Sequence, residues 1–252
     1  MRNIKLHLQY DGSAFHGWQV QPNADTVEAQ LKAAIDRILH EPVRLQSCSR
    51  TDTGVHALDF CCNFKTASDI STEKLLRGLN AVLPQQIAVT RCETADEAFH
   101  ARYSCKGKRY LYRIWNAKTR NPFLLDRALL YPFALDEKLL DAEAQAYVGT
   151  HDFAAFCAAG ASVKTTVRTV YACNVTREGE TVTFAVTGNG FLYNMVRIMV
   201  GTLLDINEGK LPAGCIPAIL AQKDRTLAGR TARPEGLYLA RVFYEDGEWN
   251  EP

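Results

Sequence analysis

A chain of 252 residues with 47% hydrophobic and 23% charged side chains can bury a real core as one large domain or two small ones. Its formal net charge of +1 excludes an overall basic field, so a polyanionic partner must be met by a local patch. Eight cysteines without a C-x-x-C pair exclude a zinc knuckle and a thioredoxin-type redox motif, and read as small buried hydrophobes in a reducing compartment. The chain starts on a strand-like alternation without a basic-then-apolar leader. Its longest apolar run, Met195 to Leu204, is short for a membrane span and carries Arg197 inside it. A soluble, cytoplasmic protein is expected.

In chain order, Arg2 to Tyr10 alternates as a strand, and Asp11 to Gln19 is rich in turn residues. Thr26 caps a helix in which Val27, Leu31, Ile35, Ile38 and Leu39 recur at helical spacing. Val43 to Cys48 and Leu58 to Phe64 read as strands on either side of a loop. Thr72 to Leu79 reads as a helix, broken at Pro84, and Gln86 to Thr90 as a further strand. The second half repeats the theme. Lys106 to Trp115 alternates strongly, Ala128 to Tyr131 is a short strand candidate, and Asp136 to Val148 is a helix. Thr166 to Thr176 and Thr181 to Thr187 flank a hairpin signal, Glu178-Gly179-Glu180. Gly188-Asn189-Gly190 leads into a helix from about Leu192 to Asn207, stopped by Gly209, and Leu237 to Tyr244 is the closing strand. The pattern predicts an α+β fold of two similar halves, 1–105 and 106–252, with one continuous sheet and a cleft where they join.

The loop Arg50-Thr51-Asp52-Thr53-Gly54-Val55-His56-Ala57 sets a carboxylate at the mouth of an apolar strand. An unpaired buried carboxylate costs several kcal/mol, so Asp52 is paired, exposed or used. Local composition by itself favours an Asx-turn, with Asp52 bonding the backbone near Gly54. Lys106-Gly107-Lys108-Arg109-Tyr110-Leu111-Tyr112-Arg113 interleaves cations with aromatics. That suits phosphate contact with base stacking, or equally an edge strand guarded by charge. Arg197 lies among large apolar residues and needs either a carboxylate held close or a path along its own stem to water. His151-Asp152-Phe153 reads as capping and packing, since adjacent residues rarely form a catalytic dyad. The chain has no P-loop, no G-x-G-x-x-G after a strand, no G-x-S-x-G and no H-E-x-x-H, so phosphoryl transfer, dinucleotide chemistry, serine hydrolysis and zinc proteolysis lack their parts.

Six ordered blocks resemble the tRNA pseudouridine synthase A (TruA) family. The most specific is Arg50 to Ala57. Tyr10-Asp11-Gly12 with Phe15, Gly17-Trp18-Gln19 and Gln21 is similar to its N-terminal block, and Lys108 to Ile114 to its central strand. His151-Asp152-Phe153 with Phe156, Gly190 to Arg197, and Glu235-Gly236-Leu237-Tyr238-Leu239 are similar to the remaining three. Before the last block this chain reads Thr231-Ala232-Arg233-Pro234, where the family often has a small apolar residue and proline.

The resemblance implies the pseudouridine synthase fold, two ferredoxin/RRM-like halves in a continuous, mainly antiparallel sheet with a central RNA-binding cleft. It implies isomerisation of uridine to pseudouridine in the anticodon arm of tRNA, at positions 38, 39 and 40, by a homodimer without metal or organic cofactor. Asp52 is then the catalytic residue, attacking ribose C1′ or uracil C6 or taking a sugar proton. Arg197 is its charge partner, Arg50 holds the flipped nucleotide, Tyr110 stacks on uracil and helps remove the C5 proton, and His56 supports the loop or contacts RNA. Lys106, Lys108, Arg109, Arg113, Lys164 and Arg168 are candidates for the RNA backbone. A non-catalytic RNA-binding module accounts for the basic-aromatic strand but not for the carboxylate. A small-molecule carboxylate enzyme would need a second acid near Asp52, and none is evident.

Overall fold

A computed structural model describes residues 1–160 and 163–250. In chain order the elements are β1 (Arg2–Tyr10), α1 (Val27–Leu39), β2 (Gln46–Ser47), β3 (His56–Thr66), α2 (Thr72–Val82), β4 (Ile87–Ala95), β5 (Gly107–Trp115), β6 (Leu129–Leu130), α3 (Glu137–Ala144), β7 (Gly149–Asp152), β8 (Val167–Glu178), β9 (Thr181–Gly188), α4 (Met195–Asn207), α5 (Ile216–Gln222) and β10 (Leu237–Phe243), with single 3₁₀ turns between several of them. The fold is mixed α+β with mainly antiparallel pairing. The chain condenses into two compact units. Met1–Lys106 with Tyr238–Glu248 forms the first, and Gly107–Leu237, joined by Trp249, the second.

In the first unit the strand order is β4-β1-β3-β10, and β2 also pairs with β3. β1 runs antiparallel to both neighbours, with Leu8 opposite Phe60, Leu6 opposite Cys62 and Ile4 opposite Phe64. Period-two alternation therefore gathers these apolar residues on one face and puts Lys5, His7, Cys61 and Asn63 on the other. β10 returns parallel to β3, pairing Tyr238 with His56 and Leu239 with Ala57. Thr26 caps α1 by accepting from the Ala29 N–H, and Ser71 caps α2 by accepting from the Lys74 N–H.

In the second unit the order is β5-β9-β8-β7, with β6 parallel to β5. Tyr110 lies opposite Val186, Tyr112 opposite Phe184 and Ile114 opposite Val182, which makes the buried face of β5 aromatic and aliphatic and leaves Arg109, Leu111 and Arg113 on the reverse. α3 packs on β8 and α4 on β5. α4 is buried along all but two of its residues, which makes it the central helix of this unit. Phe153 and Phe156 are fully buried core residues.

Local expectations shift in places. The strand expected over Val43 to Cys48 shrinks to Gln46–Ser47. The helix expected from Leu192 begins at Met195, because Asn194 takes the left-handed conformation (φ 59°) and ends the extended approach there. β7, over the residues read as a cap, and α5, just after Gly214, carry no strong periodic signal because each is so short.

Candidate active site

The Asp52 loop is assembled by close backbone contact. Val55 N–H donates to the Asp52 carbonyl at 3.1 Å, and Gly54 between them has φ +78°, the requirement of a type II turn at its third position. The local turn is thus closed by a backbone hydrogen bond. It aims a half-buried Asp52 from the mouth of β3, beside an exposed Arg50 and a buried Thr51. The turn-rich N-terminal loop wraps it. Trp18 N–H donates to the Thr51 carbonyl at 3.0 Å, and a Cβ on Gly12 would stand 2.0 Å from the Val55 carbonyl oxygen. Only a glycine admits that approach.

His56, the first residue of β3, is 2% exposed. Its Nδ1 accepts from the Gly12 N–H at 3.1 Å, which leaves the Asp11 carboxylate, 3.2 Å away, as a neighbour rather than as acceptor from that nitrogen. Its ring stacks on Tyr238 of β10, centroids 4.6 Å apart. These contacts tie the base of the turn to the loop and to the closing strand.

In the second unit Arg197 occupies the first turn of α4. Its Nε donates to the Ala232 carbonyl at 2.7 Å and its Nη1 to Asn194 Oδ1 at 2.9 Å, while its own carbonyl accepts from the Ala232 N–H at 3.0 Å. Asn194 therefore spends its side chain on the guanidinium instead of capping the helix. The segment that supplies Ala232 is pressed on both sides. A Cβ on Gly201 of α4 would meet the Arg230 carbonyl oxygen at 1.7 Å, so helix and segment touch backbone to backbone. Tyr112 donates its hydroxyl to the Arg233 carbonyl at 2.6 Å, and burial pushes that phenol's pKa far up, so it stays a neutral donor. Arg230 is tied to Asp205 and Glu208, each at 2.6 Å. Asn194 and Ala232, which hold Arg197, are almost invisible as its partners in the sequence. The one available signal was an amide side chain three residues before a cation on a helix.

Tyr110 on β5 is 6% exposed, with the Phe191 ring edge-on at 5.0 Å. Among the basic candidates, Lys106 and Lys164 are exposed, and Lys108 and Arg113 half-buried. Lys106 faces Asp246 at 3.3 Å. Arg109 donates to Thr187 Oγ1 at 3.1 Å and to the Trp249 carbonyl at 3.2 Å. Arg168 donates to the Thr165 and Val167 carbonyls at 2.9 and 2.6 Å, and burial lowers its pKa. Both arginines thus spend donors on their own unit. Among the described residues no helix is long and apolar enough to cross a membrane.

A family model described as tRNA pseudouridine synthase matches residues 7–104 and 144–245. The chain is 45% identical over 97% of its length to a tRNA pseudouridine synthase A of Caldicellulosiruptor bescii, matching all of that protein. It is 46% identical, over the same share of each chain, to the proteins of that name in Acetivibrio thermocellus and Thermoanaerobacter sp. strain X514. Blocks that were separate in the sequence reading thus fall inside one alignment that runs nearly from end to end, and the chain belongs to the tRNA pseudouridine synthase family, isomerases that convert uridine to pseudouridine in tRNA.

Proposed function

We propose that this isomerase acts on uridines 38, 39 and 40 of the tRNA anticodon arm, with Asp52 as the catalytic carboxylate. The observation that supports Asp52 most is its setting: a half-buried carboxylate on a turn whose flanking backbone is pinned. The reaction breaks the N1–C1′ bond, turns the uracil and forms C5–C1′; the C5 proton leaves and N1 gains one, so nothing is consumed. A stacked nucleotide is out of reach, so the target is flipped into the site, and the freed base must stay enclosed until it rejoins.

In this reading Asp52 attacks C1′ or C6 or takes a sugar proton. Arg197, held by the Ala232 carbonyl and Asn194, supplies positive charge as the carboxylate's partner. Tyr110 stacks on the uracil and assists loss of the C5 proton. Arg50, exposed at the rim of the turn, holds the everted nucleotide. His56 acts as loop support, in keeping with its burial. Lys106, Lys108, Arg113 and Lys164 contact phosphates, with Arg109 and Arg168 contributing less because their donors are engaged. The enzyme works as a homodimer in the cytoplasm.

A pseudouridine map of tRNA from cells lacking the protein tests the substrate assignment. Loss at positions 38, 39 and 40, with other pseudouridines intact, is expected. An unchanged map, or loss confined to another arm, contradicts it.

A further inference from the structure

Two side chains beside the Asp52 turn have no part in the chemistry above. Tyr10 ends β1 and Thr51 immediately precedes Asp52; they are 4% and 7% exposed, and their hydroxyl oxygens are 2.8 Å apart. Tyr10 is anchored in the middle of its sheet, paired with Ala57 of β3 on one side and Ile87 of β4 on the other. Its ring packs against Phe60 and Trp18, at 5.6 and 6.4 Å between centroids. Thr51 is thereby gripped twice, through its hydroxyl by Tyr10 and through its carbonyl by the Trp18 N–H. On the far side of Asp52, its own carbonyl accepts from Val55.

We infer that Tyr10 and Thr51 are positioning residues for Asp52, their buried hydroxyl pair fixing the rotation of the chain from which the carboxylate is aimed. This rests on the assignment of Asp52 as the reacting group. The two backbone contacts survive any side-chain change, so losing the hydroxyl pair leaves the turn formed but lets Thr51 rock. A carboxylate displaced by a fraction of an ångström reacts slowly, whereas tRNA affinity, spread over many phosphates, barely senses it. The loss therefore falls on kcat and spares KM.

The test is turnover of tRNA tritiated at uridine C5 by the full-length enzyme and its Tyr10→Phe, Thr51→Val, Thr51→Ser and Asp52→Asn variants and the Tyr10→Phe/Thr51→Val double variant. Tyr10→Phe and Thr51→Val are each expected to lower kcat by about 10- to 100-fold with KM within about twofold. The double variant should be no slower than the slower single, since both remove one interaction. Thr51→Ser, which keeps the hydroxyl, should retain kcat to within about threefold. Unfolding midpoints measured alongside separate folding from aim, because a fall in kcat that merely tracks the folded fraction overturns the inference. So does full kcat in Tyr10→Phe, a rise in KM without loss of kcat, or losses that multiply in the double variant. Turnover by Asp52→Asn would instead overturn the assignment of Asp52, and this inference with it. A dead Asp52→Asn beside an unimpaired Tyr10→Phe overturns the positioning role alone.

Discussion

A carboxylate that acts on a nucleoside has to be reachable and yet fixed. As the proposed reacting group, Asp52 is held through its neighbours: Gly54 supplies the positive φ of the turn, Gly12 the close backbone approach, and buried His56 accepts from the Gly12 N–H. Asp52 and Arg197 stand out in the sequence because a charge beside or within an apolar run has to be explained. Their supports do not stand out. Tyr10 and Thr51 are ordinary residues until the fold brings their hydroxyls together across 41 positions, and a backbone acceptor such as the Ala232 carbonyl has no residue-type signature at all. The Tyr110→Phe variant keeps the ring but loses the hydroxyl. If that hydroxyl moves the C5 proton, kcat for release of the label falls by about 10²-fold or more while tRNA affinity is kept. An unchanged kcat confines Tyr110 to stacking.

Among the elements, period-two strands were the most legible. The hairpin of β8 and β9 closes over Gly179 and Glu180, where the turn signal lies, and β5 shows the alternation expected of it. α4 was legible as a helix but not in its start, because the apolar run continues through Leu192 and only the backbone at Asn194 marks the change. The segment after α5 had no visible role in the sequence. It proves to be the strap that holds Arg197, fastened to α4 through Arg230. Arg230 donates to Glu208, and Lys210 and Tyr131 add to this, holding the Glu208 carboxyl down to about 2, below its unfolded range. The sign follows from linkage: a carboxyl depressed in the folded state adds stability that is complete above the ordinary carboxylate range and is lost as pH falls toward about 2. Glu208→Gln should therefore lower the unfolding midpoint at neutral pH by about 2–4 °C, for about 1 kcal/mol, with the gap narrowing below the ordinary carboxylate range and closing only near pH about 2. Melting curves that stay a constant distance apart across that range would contradict it.

For the whole molecule, the α+β class and the repeated strand-helix theme were readable from pattern alone, since each half alternates between the two periods. The return of β10 to pair parallel with β3 in the first unit was not, because long-range pairing leaves no local trace. The function was readable only through several motifs in a fixed order. Basic-aromatic interleaving by itself allowed a binding module, which family membership as an isomerase replaces. In the proposed mechanism the chemistry turns on a single carboxylate, and the most direct test is label release from tRNA tritiated at uridine C5 by Asp52→Asn, with tRNA affinity measured on the same preparation. No label should be freed while affinity stays within about tenfold of the parent, because only the reacting group is removed. Continued release of label by that variant would contradict it.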